Sequence, residues 1–441
     1  MARLLMLGAG IDIYRKYILE TLHARGDDVA LIDTVPRPWT EPFVRAGVKV
    51  DLRDRDAVGE AALSLHRDAP FDGVLTYDEA QVELTAYVAA LLGLPGLSPE
   101  AAARCRDKRA MRAAFEAAGV PSARSVLVYD AEGAAAAAAA LGYPVVVKPR
   151  NLGGSIGVVR ADDERELRAV FKVAAEAGFA RIDPEPGVLV EQYLDGPEYS
   201  VESVVRDGRV LVCGITDKTV GFAPYFEELG HVCRAPGTGP HDQQLIDTAV
   251  AAHRALGITV GATHSELRMT ADGPRMIEVA ARLGGDQIPY VHRLASGVDM
   301  VALTVEALTG GAGTESDRTE SDRTESARTQ IRAEADADLW EDTDPGRVRP
   351  GVAGIRMLYP QHDGVVRALG APEPAGHLWH EMVWHVEEGR HVQLPPRGFL
   401  SRLGHVIARA DDERELRVRL DAAVASLRIE IEAAPAPGDL A

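Results

Sequence analysis

Residues 145–159 read VVVKPRNLGGSIGVV, an apolar run that ends in a lysine with a glycine-rich turn directly after it. Lys148 stands at the mouth of that turn, and Gly153, Gly154 and Ser155 form it. A flexible glycine loop can fold over a chain of phosphates and offer them backbone N–H groups. A strand-borne lysine beneath the loop can meet the same phosphates from the other side. The order differs from a GxxxxGK[ST] loop, in which the lysine follows the glycines. Taken alone, the segment fits a surface hairpin with Gly-Gly turn chemistry equally well.

Two later stretches shift that balance. GVLVEQYLDGPEYSVE places Glu191 where the backbone could hydrogen-bond a base, and Glu198 where a carboxylate could hold ribose hydroxyls. HSELRMTADGPRMIEVAARLGGD places Glu266 and Glu278 on two strands joined by an Asp272-Gly273 turn. Asp-Gly is a strong hairpin signal, so the two carboxylates can share one face. Hard carboxylate oxygens suit Mg²⁺, which takes one or two protein carboxylates plus substrate phosphates. Arg282 follows, beside Gly284 and Gly285. Single strand glutamates are usually just solvated; a pair downstream of a lysine–glycine loop is more telling.

These residues need elements to position them. The first hundred residues alternate strand and helix, which means a parallel sheet with covering helices. Gly8-Ala9-Gly10 ends the first strand, but Ile13 stands where a GxGxxG loop has its third glycine. With Asp33 ending the second strand, the turn reads either as a tight turn of a Rossmann-like domain or as a dinucleotide loop. Residues 98–119 read as one helix, with Ser98 as N-cap, Pro99 at its first position and Gly119 as terminator. Strands and helices then alternate to residue 280. The octapeptide ADDERELR occurs at 161–168 and again at 410–417, each time after a strand, which predicts a strand-to-helix junction. Residues 311–330 carry TESDR repeats without an apolar residue in the repeating unit, and read as a disordered insert. Strand-like segments return after Gly351.

The chain has 441 residues, room for roughly two to four domains at about 150 residues each. The formal net charge of −19 argues against nucleic-acid binding, which needs a basic footprint. Cys105, Cys213 and Cys233 form no CxxC pair, so neither a disulfide framework nor a zinc site is expected. The apolar start MARLLMLGAG reads as a strand rather than a leader, and no run approaches the ~18 residues of a membrane span. A cytoplasmic protein without nucleic-acid or membrane partners is expected; a homodimer is left open.

RDKRAMR, VVVKPRNLGGSIGV, VLVEQYL and the pair SELRMT/MIEVAARLGGD occur in this order, and in them the chain resembles the ATP-grasp superfamily. The resemblance runs from about residue 98 to residue 296 and more loosely beyond. It implies an α/β ATP-grasp fold: an N-terminal Rossmann-like domain (1–105), a small lid (106–195) and a large C-terminal α+β domain (196–441) carrying the insert. It implies ATP between lid and C-terminal domain. Lys108 and Lys148 would bind its phosphates, and Gly153, Gly154 and Ser155 would close over them. Glu191, Gln192 and Leu194 would form the adenine hinge, and Glu198 would hold ribose. Glu266 and Glu278 would hold two Mg²⁺ ions. Arg282 would contact the transferred phosphate and, with the Gly284 and Gly285 amides, the oxyanion. Many family members carry Asn two residues after the second glutamate; here that residue is Ala280. In EVAARLGG, and in residues 215–232, the chain resembles the L-amino-acid ligases of that superfamily.

The implied reaction is ATP-dependent activation of a carboxylate as an acyl phosphate, then attack by an amine, with amide or dipeptide formation. An ATP-grasp carboxylase using bicarbonate, or a non-catalytic nucleotide-binding module, would use the same ATP site. Candidate substrate-binding residues are Lys218, His231 and His264, with Tyr225, Glu227, Glu228 and Arg356 as further candidates. His231 also reads as a surface residue of a loop.

Overall fold

Short apolar runs separated by amphipathic helices build the N-terminal unit. In the computed structural model β1 (Arg3–Leu7), β2 (Asp28–Asp33), β3 (Ala46–Lys49) and β4 (Gly73–Leu75) form a parallel sheet in the order β3-β2-β1-β4. The helices α1 (Asp12–Ala24) and α2 (Arg55–Asp68) connect β1 to β2 and β3 to β4, and α3 (Val82–Leu92) follows β4. Leu5, Leu7 and Ile32 pack on Val58 and Val88, while Leu4 and Met6 face the other way onto Ile18 and Leu22. In such sheets ligands lie beyond the carboxyl ends of the strands. Here those ends carry Gly8–Gly10 after β1 and Asp78-Glu79 after β4. The structure describes residues 1–35, 37–179, 182–310, 351–372 and 378–433, and the expected insert at 311–330 lies outside them.

The expected single helix over 98–119 is two. α4 (Pro99–Arg106) ends and α5 (Lys108–Ala118) begins at Asp107, whose backbone is extended at φ −112°, ψ 107°. Asp107 caps α5 by accepting from the Arg109 N–H, and its carboxylate is held by Arg150 at 2.6 and 2.8 Å. Aspartate favours the cap over the helix interior, and a long-range ion pair fixes the break.

The lid is an antiparallel sheet, β5-β8-β6-β7, built from β5 (Ser125–Val128), β6 (Val145–Pro149), β7 (Val159–Ala161) and β8 (Val188–Gln192). The alanine-rich α6 (Ala131–Leu141) and α7 (Glu164–Ala175) cover it, with Ala134, Ala138 and Leu167 fully buried.

The large sheet runs β13-β12-β9-β10-β11-β14-β18-β16. It uses β9 (Glu198–Arg206), β10 (Arg209–Gly221), β11 (Glu227–Arg234), β12 (Gly261–Thr270), β13 (Gly273–Ala280), β14 (Val352–Leu358), β16 (Glu381–Trp384) and β18 (Gly404–Ala410). α5 and α8 (Asp242–Leu256) cover its first half through Met111, Phe115, Leu245 and Leu256. α9 (Ile288–Ser296) covers part of the second half, and α10 (Met300–Thr309) returns to the N-terminal sheet. A small sheet of β15 (Gly364–Gly370), β17 (His391–Val392) and β19 (Arg428–Ala433) and the helix α11 (Glu413–Ser426) complete the described chain.

Both ADDERELR copies are strand-to-helix junctions. Asp163 and Asp412 accept from the Glu166 and Glu415 N–H groups, and Leu167 and Leu416 are buried. Among the described residues no helix is long and apolar enough to cross a membrane.

Candidate active site

The three units meet around a cavity of about 500 Å³. At one end the lid supplies Val146, Val158 and Tyr193, and the large domain supplies Phe226 and Ile277, which together make an apolar slot. Gln192 and Leu194 line this slot. The Leu194 carbonyl accepts from Arg268 at 3.0 Å. Glu191 differs from the expected hinge role. Its backbone lies inside the lid sheet, paired with Ser125 on one side and Val146 on the other. What it presents is a buried carboxylate, 2.5 Å from Lys148 Nζ and 2.9 Å from Arg112.

Glu198 opens β9 and is anchored by Arg268 at 3.0 Å and Lys218 at 3.1 Å. Past it come the phosphate-binding candidates. Lys148 ends β6, 4% exposed, beneath the turn at 150–158. Gly154 and Gly157 take φ of +64° and +73°, and Ser155 +56°. A Cβ on Gly157 would stand 2.4 Å from Ala177 Cβ, so the turn requires glycine there. Lys108 is the first residue of α5, placed by the break at Asp107. Its Nζ donates to the Leu152 carbonyl at 2.6 Å and pairs with Glu278 at 3.0 Å. One ammonium thus joins the glycine loop to the carboxylate hairpin.

Glu266 on β12 and Glu278 on β13 are direct cross-strand partners and both line the cavity. Lys218 holds Glu266 at 2.5 Å and Lys108 holds Glu278, which leaves each carboxylate with oxygen lone pairs toward the cavity. The donor set is hard oxygen, and it fits Mg²⁺. Ala280 lines the cavity beside them and adds no ligand atom.

Burial alone would raise Glu191, but Arg112 and Lys148 outweigh it and hold the carboxyl at about 2. Lys148 moves the other way: burial lowers it to about 8 against the opposing pull of Glu191. The asymmetry has a plain cause. Glu191 faces two cations, whereas Lys148 faces one carboxylate and two like charges, Arg112 and Lys108.

Arg282 follows β13. Its Nε donates to Glu79 at 2.7 Å and its Nη1 to the Leu283 carbonyl at 2.8 Å. Glu79 also takes Arg106 at 2.5 Å; burial opposes its charge, yet Arg106 and Arg282 hold it at about 2. Glu79 is thus a residue the sequence reading missed, and it orients Arg282 from another domain. The one available signal was its place after a strand of a parallel sheet. Gly285 reaches the cavity. Gly284 packs on Glu202 and His264, and its carbonyl accepts from Arg15 at 3.3 Å.

Of the three substrate candidates, His264 lines the cavity, and Lys218 and His231 stand behind its wall. Lys218 sits behind the wall among Glu266, Glu228 and Glu198, at 2.5, 2.8 and 3.1 Å. Burial would lower it, but these carboxylates raise it, so it is a fixed cation. His264 lines the cavity, with Nδ1 2.7 Å from Glu202 and Nε2 3.1 Å from Glu266. Burial disfavours its charge, yet the two carboxylates raise it to about 10, so both ring nitrogens donate at neutral pH. His231 is buried, not a surface residue, and its Nε2 lies 3.1 Å from Asp286 and 3.4 Å from Glu228. Arg402 pairs with Asp286 across the cavity floor. Of the further candidates only Glu228 lines the cavity. Arg356 turns to Asp421, Tyr225 meets Phe399 edge to face, and Glu227 accepts from Tyr359 and the Leu400 N–H.

Sequence comparison agrees with this geometry. Residues 141–290 match an ATP-grasp domain model, residues 24–96 an ATP-grasp N-terminal domain, and residues 356–432 an L-amino acid ligase C-terminal domain. The uncharacterized protein y4rH of Sinorhizobium fredii is 32% identical over 81% of this chain and 77% of its own length. The alanine–anticapsin ligase of Bacillus subtilis is 30% identical over 54% of each chain, so the match spans about half of that enzyme. The crystal structure of L-amino acid ligase from Bacillus licheniformis superposes with a TM-score of 0.75 at 25% identity, covering 98% of this chain and 99% of that one. A glycine loop over two lysines, a carboxylate hairpin and these matches place the chain in the ATP-grasp superfamily, among its ATP-dependent carboxylate–amine ligases.

Proposed function

We propose that the cavity joins a carboxylate to an amine, with an amino acid on at least one side, to form an amide or dipeptide in the cytoplasm. The observation that carries the reading is Lys108, which links the glycine loop to Glu278 and so places phosphate donors and a metal-type carboxylate pair in one cavity. ATP lies with adenine in the slot at Tyr193 and Phe226 and its phosphates between Lys108, Lys148 and the Gly153-Gly154-Ser155 turn. Glu266 and Glu278 would hold Mg²⁺, two ions in this proposal, which neutralises phosphate charge when bound.

A substrate carboxylate oxygen attacks the γ-phosphorus, ADP leaves, and an acyl phosphate remains. The amine, having lost a proton, attacks the acyl carbon, and inorganic phosphate leaves. Arg282, held by Glu79, faces the charge that develops on the acyl and phosphoryl oxygens, and Gly285 supplies an amide close by. No protein nucleophile is required, because positioning and charge do the work. The lid keeps water from the acyl phosphate.

ADP release is expected to require a carboxylate and an amine together, and to be indifferent to bicarbonate. The test screens pairs of amino acids for ADP in bicarbonate-stripped buffer and identifies products by mass spectrometry. Turnover that disappears without bicarbonate and returns with it would replace this reading by a carboxylase.

Lys148 adds a pH dependence. The free enzyme loses its ammonium as pH rises through about 8, and phosphate binding needs that ammonium. ATP affinity should therefore fall above pH 8, and ATP binding at pH 8.5, about half a unit above that pKa, should take up protons. Calorimetry in buffers of different ionisation enthalpy measures the uptake. Lys148→Arg, which stays charged, should show none, and equal proton exchange in both proteins would contradict the assignment.

A further inference from the structure

The turn at Gly8–Gly10 has no part in the ATP site, yet it opens into the same cavity, where Gly10, Ile11, Tyr14 and Arg15 form one wall. It is not a dinucleotide loop. Asp33 Oδ2 accepts from the Ala9 N–H at 3.0 Å and pairs with Arg37 at 3.5 Å, so the acid that would hold a ribose is occupied by its own domain.

Arg15 has a different standing from every other cation around the cavity. Lys108 is paired with Glu278, Lys148 and Arg112 with Glu191, Arg268 with Glu198, Arg282 with Glu79, and Arg402 with Asp286. Arg15 makes a hydrogen bond to the Gly284 carbonyl at 3.3 Å, and among the described residues no carboxylate lies within ion-pair distance of it. The fold makes room for it. Gly10 has φ +72°, and a Cβ there would stand 2.9 Å from Arg15 Cγ, so the absent side chain lets Arg15 lie across the turn. Arg15 lies in the first turn of α1, whose N-cap Ile11 gives no side-chain hydrogen bond, so the N–H groups of that turn add positive potential, offset in part by Asp12, the exposed first residue of the helix. Arg15 is half-buried, and the loss of hydration costs its guanidinium and lowers it from its usual range; Asp78 and Asp286, both beyond ion-pair distance, pull the other way and offset that cost only in part. An anion at this wall removes that cost. The bond to Gly284 puts this anion next to Arg282 and Gly285, where acyl transfer would take place.

We propose that Arg15, laid across the Gly10 turn, binds a substrate carboxylate that the reaction does not consume and that remains in the product. The inference rests on the ligase reading above. Two sources share this chemistry: the α-carboxylate of an amino acid that serves as the amine, and the second carboxylate of a dicarboxylic acyl donor.

The experiment compares wild type, Arg15→Gln, Arg15→Lys and Gly10→Ala by ADP release, with Lys16→Ala as a control for general surface charge. One arm sets the amine substrate against its carboxamide; the other sets an acidic acyl donor against its amide isostere. Arg15→Gln should raise KM about 10- to 100-fold for whichever partner retains a carboxylate, with KM for its amide analogue and for ATP unchanged. Arg15→Lys should recover part of the discrimination. Gly10→Ala keeps the charge but displaces it, and should lose the same discrimination. The arm in which acid and amide become equivalent names the source. If Arg15→Gln affects acid and amide alike, or moves only KM for ATP, the carboxylate site is refuted while the ligase reading stands. If wild type releases no ADP with any amino-acid pair, both fall.

Discussion

Glu278→Gln is expected to lower turnover about 10³-fold with the fold intact. The substitution keeps the shape of the side chain and removes its charge. Ala280, two residues on, has no ligand atom to take over, and Glu266 across the hairpin already answers to Lys218 and His264. The loss should fall on kcat rather than on folding, because Glu278 stands at the cavity edge and Lys108 keeps its hydrogen bond to Leu152. Steady-state ADP release, beside a thermal melt of each protein, measures both. A folded variant that turns over near the wild-type rate would remove Glu278 from the metal-binding set.

Lys218→Met should have the largest effect on stability, about 3–5 kcal/mol at pH 7. The ammonium has 1% side-chain exposure and faces Glu198, Glu228 and Glu266; without it three carboxylates confront one another behind the cavity wall. Burial would raise Glu228 and Glu266, but Lys218 is the main charge that holds both below the usual carboxylate range. Depressed carboxyl pKa values contribute stability that is present above their unfolded values and is lost as pH falls through the folded ones. The variant lacks that contribution, so the gap to wild type should be widest near neutral pH and narrow below about pH 4.5. Urea unfolding at a series of pH values reads both the size and the trend. A variant within about 1 kcal/mol of wild type at pH 7, below the cost of a broken buried pair, would show that the four groups do not form one charged unit.

Much of the scaffold was legible because it is written in local periodicity. The alternation of the first hundred residues, the Asp272-Gly273 hairpin and the two ADDERELR junctions depend on neighbours in sequence. The break at Asp107 does not. Helical pattern continues on both sides of it, and the residue that fixes it, Arg150, lies on the next domain. The site divides in the same way. Lys148, Glu266 and Glu278 were visible because their spacing places them around one loop and one hairpin, whereas Lys108 came only from the family resemblance carried by RDKRAMR. Lys218, His231 and His264 stood as substrate candidates, with His231 also readable as a surface residue of a loop. Their carboxylate partners arrive from other strands and loops, so the neutralisation exists only after the sheet has formed. Glu79 gave no signal beyond its place after a strand of the parallel sheet, since what it does is set by Arg106 and Arg282, one of them 203 residues away.

The wall of the cavity is drawn from parts of the chain that do different jobs. Residues that line the apolar slot and the lysine–carboxylate cluster come from the lid, from α5 and from the strands β9, β12 and β13, with Phe226 from the loop before β11. The far wall comes from elsewhere: Tyr14 and Arg15 from the first helix, Leu400 and Arg402 from the C-terminal segment, with Asp286 between them. Leu400 even reaches the glycine turn, where it lies against Gly154. Under the proposed function, what holds ATP and what meets the joined molecules therefore stand on different stretches of chain, so the far wall can be substituted without changing a lysine or a carboxylate of the ATP site.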